Sequence, residues 1–219
     1  MINILIEEKL KSTWPDLKLG AIQCDVETQE DCPELWKEIN EFIERKEKEL
    51  DPEKIRQLPS VKSTKLGYRK IGKDPSRYRP SAEALLRRVA SGKGLYKINN
   101  VVDLLNLVSI DSGFSIGGYN AAKINGDIQL GIGRKDEPYK GIGRGELNIE
   151  FLPIFRDELG AFGSPTSDSV RTSITNECSQ FLMIILSFQG NHELQKAMDF
   201  AVSLLQKHAK GDKVETRII

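Results

Sequence analysis

The stretch Ile98 to Asn120, INNVVDLLNLVSIDSGFSIGGYN, constrains the fold of this chain more than any other. Val101, Leu104, Leu105 and Val108 recur at helical spacing and make one apolar stripe. Asn99 and Asn100 stand just before the run. An asparagine there caps a helix by accepting a bond from an orphan backbone N–H. Asp103 falls in the first turn, where the helix dipole favours a negative charge. Asn106, three residues on, shares the polar flank with Asp103. Gly113 ends the helix, Phe114 to Ile116 alternates like a strand, and Gly117-Gly118 predicts a turn. Such a stretch delivers the polar edge of a buried helix and a glycine-lined backbone to one place. The plain alternative is a core helix with a cap and a stop.

The 219 residues suffice for one large domain or two small interlocked ones with a real core. No apolar run approaches the roughly 20 residues that span a bilayer, so no membrane partner is expected. The start, MINILIEEKLK, has no basic region before its apolar patch and acids directly after it, unlike a secretory signal. Cys24, Cys32 and Cys178 are odd in number and lack metal-ligand spacing. They read as reduced thiols of a cytoplasmic protein. The net charge is zero, but its distribution is uneven. Residues 1–60 hold 9 Lys and Arg against 15 Asp and Glu, residues 61–97 hold 11 against 2, and residues 98–219 hold 12 against 15. The middle segment is the footprint of a polyanion partner, or a solvated basic face balanced by the acidic helix near residues 34–53.

Along the chain, residues 2–12 read as a short strand or a helix start, and residues 17–26 as a strand. Pro33 opens a cover helix whose inner face is Leu35, Ile39, Phe42, Ile43 and Lys46. Asp51-Pro52 breaks it, and a short helical turn runs to Leu58. Residues 60–80 read as a basic, linker-like part in which Tyr68 and Tyr78 are interleaved with Lys62, Lys65, Arg69, Lys70, Lys73, Arg77 and Arg79. Cations with aromatics suit a phosphate backbone with bases stacking nearby. Ser81 then caps a helix with Leu85, Leu86 and Val89 inward and Arg87 and Arg88 outward. Asn125-Gly126 is a tight-turn dipeptide, and Ile128, Leu130 and Ile132 alternate as a strand. Leu147, Ile149 and Phe151 predict another. Phe181 to Phe188, FLMIILSF, predicts a central strand buried on both faces. Asn191 caps a last helix along Leu194, Ala197, Met198, Ala201 and Leu205, and residues 214–218 add an edge strand.

Few residues carry obvious chemistry. Gly113 to Gly117 formally matches GxSxG, but it follows a helix instead of a strand, and His192 and His208 lie far off at the last helix. The shortage of His and Cys clusters also argues against zinc, and no metal or cofactor is expected. GIGR occurs at residues 131–134 and again at 141–144. Neither copy has the GxGxxG pattern that opens a helix after a strand in dinucleotide sites. Residues 160–175, rich in Gly, Ser and Thr and including Asp168 and Arg171, read as a loop that lines a site or as a polar turn. What remains is Asn106, Asp168, several hydroxyls and backbone amides, able to bind a small polar ligand and hold a water.

The segment SAEALLRRVASGKGLYKINNVVDLLNLV resembles the editing (B3/B4) region of the phenylalanyl-tRNA synthetase beta subunit. That family has a helix leading into an INNVVDVTN-like segment, then a G-Q-P-hydrophobic-His-A-F-D turn and an I-x-G-D-I strand. The counterparts are Ile98 to Asn106, Gly113 to Asn120 and Ile124 to Ile128, with Ser167-Asp168 where the family has Ser-Glu. The resemblance covers roughly residues 75–190. It implies an α+β (mixed α/β) fold with a central, mostly antiparallel or mixed sheet covered by helices. A free-standing single domain over residues 1–219 is expected, with residues 1–60 its acidic strand and cover helix, 61–97 its basic segment and 98–219 its core.

The family domain hydrolyses the ester that joins tyrosine wrongly to the tRNA for phenylalanine. By this resemblance Asn106 matches the site asparagine, Leu105 stands at a threonine, Gly117 at a histidine, and Asp168 at the glutamate that reads the tyrosine hydroxyl. The resemblance therefore implies a trans-acting deacylase of a mischarged aminoacyl-tRNA, not a complete ligase. Asn106 would position water or substrate. The Gly117-Gly118 turn would line the pocket, and Leu105, Gly160, Ser167 and Asp168 would hold the amino acid. Lys65, Arg69, Lys70, Lys73, Arg77, Arg79, Arg87 and Arg88 would grip the aminoacylated 3′ end of tRNA. The missing hydroxyl and imidazole leave a rival: a module that kept the fold, binds tRNA, RNA or an amino acid, and lost the reaction. The specificity and the oligomeric state are not set by the sequence.

Overall fold

The computed structural model describes residues 1–219. Its elements begin with strand β1 (Ile4–Ile6), helix α1 (Glu8–Thr13) and strand β2 (Lys18–Asp25). Helices α2 (Pro33–Glu49), α3 (Pro52–Gln57), α4 (Pro59–Lys70), α5 (Ser81–Ala90) and α6 (Asn100–Ser112) follow. Strands β3 (Ser115–Asn120), β4 (Ile128–Ile132), β5 (Lys140–Gly141), β6 (Gly145–Glu146), β7 (Pro153–Asp157), β8 (Gly160–Gly163) and β9 (Gln180–Ser187) come next. Helix α7 (Leu194–His208) and strand β10 (Asp212–Ile218) end the chain. The fold is α+β, and no helix is long and apolar enough to cross a membrane.

Two four-stranded sheets organise these elements. One has the order β10-β2-β9-β3 and is antiparallel throughout. The other has the order β1-β4-β7-β8, with β1 parallel to β4 and the rest antiparallel. Side chains alternate across a strand, so β9 serves two cores at once. Phe181, Met183 and Ile185 join one apolar cluster with residues of α2, α5, α6 and α7. Leu182, Ile184 and Leu186 join a second with Ile128, Leu130 and Phe155 of the other sheet. The molecule is therefore layered as helices, sheet, sheet. The continuous apolar run predicted this strand for the right reason.

Helix α6 is held at both ends as its sequence predicts. The Asn99 side chain accepts from the Val102 amide, and Gly113 closes the helix with a φ of 72°. Asp103, however, does not face Asn106. It is buried and accepts from the Trp36 indole at 2.7 Å and the Ile98 amide at 2.9 Å. Burial pushes its carboxyl up, opposed by these two donors.

Four local expectations are corrected. Residues 59–70 are a helix, not part of a linker. Pro59 starts it, and Val61, Thr64 and Tyr68 are buried at i, i+3 and i+7. Gly117 and Gly118 form no turn. They lie inside β3, paired with Ile184 and Met183 of β9. Residues 147–151 form no strand, since Phe151 sits at a φ of 62° and only Gly145–Glu146 pairs, with Lys140–Gly141. Neither Ser81 nor Asn191 is a cap: the N-cap positions belong to Pro80 and to Glu193, without side-chain bonds.

Glycine is required at 117 by its own strand. Tyr119, two residues on, lies on the same face, and its ring covers the position. A Cβ at Gly117 would stand 2.0 Å from the Tyr119 hydroxyl oxygen and 2.5 Å from its ring. A Cβ at Gly163 on the opposing sheet would stand 2.2 Å from that oxygen. Gly117→Ala should therefore destabilise the protein by about 1–3 kcal/mol in urea unfolding, the usual cost of overpacking a core. Adding Tyr119→Phe should recover part of that loss.

Candidate functional site

A cavity of about 850 Å³ opens between α5, α6, β3 and the loop that follows β8. From α6 come Leu105, Asn106 and Ser109. Ile116 and Gly118 of β3 supply the sheet wall, because alternate residues of this strand face the helices. Ser164, Thr166, Ser167 and Asp168 line it from the loop. The Asn106 side chain is half-buried at the cavity and bonds to no other group of the chain. A Cβ at Gly118 would meet Leu105 at 2.5 Å and Ile174 at 3.0 Å, so this glycine keeps open the space beside both.

The loop is fixed from several sides, which turns an apparently flexible Gly/Ser/Thr segment into a wall. The Tyr139 hydroxyl donates to the Ser167 carbonyl at 2.6 Å, and Tyr68 and Thr166 share a hydroxyl bond of 2.9 Å. The Ile142 amide donates to the Asp168 carbonyl, and the Ser81 amide to the Pro165 carbonyl. Arg171 grips Asp157 through both carboxylate oxygens at 2.8 and 3.0 Å, a bidentate pair that ties the loop to β7. Asp168 accepts from the Tyr119 hydroxyl at 3.0 Å and from the Gly118 amide at 3.4 Å. Burial pushes the Asp168 carboxyl up to about 7, while those two donors pull the other way. The fully buried Tyr119 phenol is itself pushed up, by burial first and then by Asp168.

The mouth of the cavity is basic. Arg79, Arg87, Arg88 and Lys93 lie on or beside α5, and Arg144 reaches in from the β5–β6 hairpin. Buried Glu83 bonds Arg87 at 2.9 Å, and Arg79 stands 4.0 Å from it. The Arg88 guanidinium lies 3.8 Å over the exposed Tyr96 ring. Lys93 and Arg144 have no carboxylate partner. No histidine lines the cavity.

The residues singled out from the sequence thus divide. Leu105, Asn106, Gly118, Ser167, Asp168, Arg79, Arg87 and Arg88 meet at this one cavity. Gly117 faces the opposite side of β3 under Tyr119. Gly160, at a φ of 116°, starts β8 outside the lining. Lys65 is paired with buried Glu83 at 3.2 Å. Lys73 is buried, donates to the Asn148 and Glu150 carbonyls, and lies 3.6 Å over Tyr78. Burial pushes its ammonium below the ordinary lysine value. Arg69, Lys70 and Arg77 are exposed and away from the cavity. Sequence reasoning missed Tyr119, Lys93 and Arg144. Only Arg144 left a signal, in the repeated GIGR. The first copy packs Gly133 against the Ile149 carbonyl, where a Cβ would stand at 1.8 Å, while the second carries Ile142 and Arg144 to the cavity. Ser115, the serine of the formal GxSxG, is buried in β3 and accepts only from the Ala82 amide at 3.4 Å. It has no histidine beside it, so it is no nucleophile elbow.

The raised Asp168 carboxyl gives a stability test. The unfolded chain releases this proton near the ordinary aspartate value and the folded chain only near 7, so the folded state loses stability between those pH values and stays lower above them. Asp168→Asn should raise the melting temperature at pH 8 more than at pH 4, measured by thermal unfolding at both.

The model of the B3/4 domain family matches residues 64–210. No curated protein matches the chain. Among solved structures, the chain is similar to a crystal structure of an N-terminal fragment of the phenylalanyl-tRNA synthetase beta subunit from Pyrococcus horikoshii. The identity is 14% and the TM-score 0.46, over 99% of this chain and 50% of that one. The chain therefore spans about half the length of that fragment.

Proposed function

The chain belongs to the B3/4 domain family, and from that premise we propose that its cavity receives the aminoacylated 3′ end of a tRNA and that the protein hydrolyses the ester of a mischarged aminoacyl-tRNA in trans. One observation carries this reading: a single cavity joins a cationic mouth, the Asn106 amide that no group of the chain engages, and a carboxylate at the opposite wall. A phosphodiester suits the mouth, where Arg88, Lys93 and Arg144 approach from two sides. The amino acid lies against Leu105, Ile116, Ile174 and Asp168. The ester falls between them, beside Asn106.

In this reading Asn106 orients the attacking water or the ester carbonyl. The Gly118 amide is engaged with Asp168, whereas the Asn106 side chain on α6 has no partner in the chain and is free to donate. The vicinal ribose hydroxyl of the substrate relays the proton, since no imidazole is at hand. Asp168 holds a donor group of the amino acid. Its Oδ1 already accepts from Tyr119, so the protein's own phenol occupies part of the place where a substrate phenol would bind. That favours amino acids other than tyrosine.

A second reading has one specific observation behind it. The cavity has no histidine, and its single carboxylate is bonded to Tyr119 and Gly118. A module that binds tRNA or an amino acid without turnover needs nothing more. Release of labelled amino acid from a panel of mischarged tRNAs separates the two. For the deacylase, Asn106→Ala should lower kcat by about a hundredfold, the scale of losing one oriented donor, while tRNA affinity changes less than threefold. No release above the spontaneous rate from any member of the panel would leave the binding module. Arg144→Ala should weaken tRNA binding and flatten its dependence on salt, read as the slope of log affinity against log salt.

A further inference from the structure

A second chemical cluster lies away from the cavity, where the start of α2 meets the end of α7. Cys32 occupies the N-cap position of α2, and no side-chain bond caps that helix. His208 is the last residue of α7. The Cys32 sulfur lies 3.9 Å from His208 Nδ1, and His208 Nε2 lies 3.1 Å from Glu38 Oε1. The imidazole is held in place: its side chain is 1% exposed, and the His208 carbonyl accepts from the Asn100 side-chain amide at 2.8 Å. Glu38 is also bonded by Lys207. Burial opposes ionisation of Glu38, yet Lys207 and His208 together hold its carboxyl below the ordinary value.

The Cys32 sulfur and the Glu38 carboxylate stand at the two ring nitrogens of His208, so the imidazole can accept a thiol proton at Nδ1 while its Nε2–H donates to Glu38. The other two cysteines have no imidazole beside them. Cys24 and Cys178 are buried, and burial pushes the Cys24 thiol up to about 12 and raises that of Cys178. Cys32 is the one cysteine that is not buried.

We propose that Cys32, His208 and Glu38 form an activated-thiol site at which Cys32 exchanges with small disulfides. His208 takes the thiol proton. The Cys32 sulfur attacks one sulfur of the reagent, the reagent's S–S bond breaks, and a mixed disulfide forms on Cys32. The other half leaves as a thiolate and takes the proton from His208. The protein thiol is oxidised and the reagent is reduced by the same electron pair.

The test is the rate of reaction with the neutral aromatic disulfide 4,4′-dithiodipyridine, followed by thiopyridone absorbance on the folded full chain. One thiol should react at least about tenfold faster than a cysteine in an unstructured peptide at pH 7. Cys32→Ser should remove that phase, and mass spectrometry should place the adduct on Cys32. His208→Gln and Glu38→Gln should each slow it. Glu38 is partly exposed, so its variant decides the matter where His208→Gln does not fold. A Cys32 rate equal to that of the peptide, a fast phase that survives Cys32→Ser, or a rate unchanged in Glu38→Gln would overturn the proposal.

Discussion

Strand β9 is buried on both faces, and the other layers are arranged around that fact. Its odd-numbered residues pack among the helices and its even-numbered ones against the second sheet. A slip of one residue in either neighbour would exchange the two sets and put the wrong shapes into both cores. β2 and β3 are therefore locked in register along its length. β3 is the strand that matters for the site. It forms the edge of its sheet next to the cavity, and its alternation sends Ile116 and Gly118 towards the helices and Tyr119 towards the other sheet. The register that satisfies the cores also fixes what the cavity is lined with.

Tyr119 links that packing to chemistry. It is fully buried, sits edge-on to Phe162 at 4.9 Å between ring centroids, and passes over Gly117 and Gly163 to reach Asp168. The two glycines make room for the ring. The ring places a hydroxyl against a carboxyl that burial keeps from ionising at its ordinary pH. Asp168 is in this way a property of the sheet sandwich as much as of its loop. Its second oxygen takes the long bond of 3.4 Å from the Gly118 amide.

The fold was legible where one physical pattern ruled. The period of α6, with Asn99 and Gly113 at its ends, and the apolar run of β9 each had a single reading, and the structure has them. Elsewhere two causes produce one letter. A glycine pair in sequence signals a turn, but Gly117 is glycine because a ring from its own strand lies over it, and nothing local announces that. The helix at 59–70 was hidden by its lysines. Its buried stripe of Val61, Thr64 and Tyr68 is half polar, and Gly67 is small because Phe188 lies against it. Of the site, α6 and the Ser167-Asp168 loop were legible through resemblance and residue type. Tyr119 was not, since a strand tyrosine reads as core. Lys93 and Arg144 were not, since a cavity mouth assembled from α5 and a distant hairpin leaves no spacing in the sequence.

The basic segment shows why net charge alone cannot describe a surface. Residues 61–97 carry the excess of cations, yet the fold spends them differently. Lys73 disappears beneath carbonyls, where its ammonium donates to two of them instead of serving as a surface charge. Glu83 is buried and cannot stay uncompensated, so Lys65, Arg87 and, at longer range, Arg79 gather round it. That cluster ties α4 to α5 and sets the wall of the cavity mouth. Glu83 offsets only one of those three positive charges, so Arg79 and Arg87 still add to the positive field at the mouth. Arg88, Lys93 and Arg144 are the cations of the mouth with no carboxylate partner. Two of them come from the end of α5 and one from across the opening. A group that met all three would span the opening of the cavity.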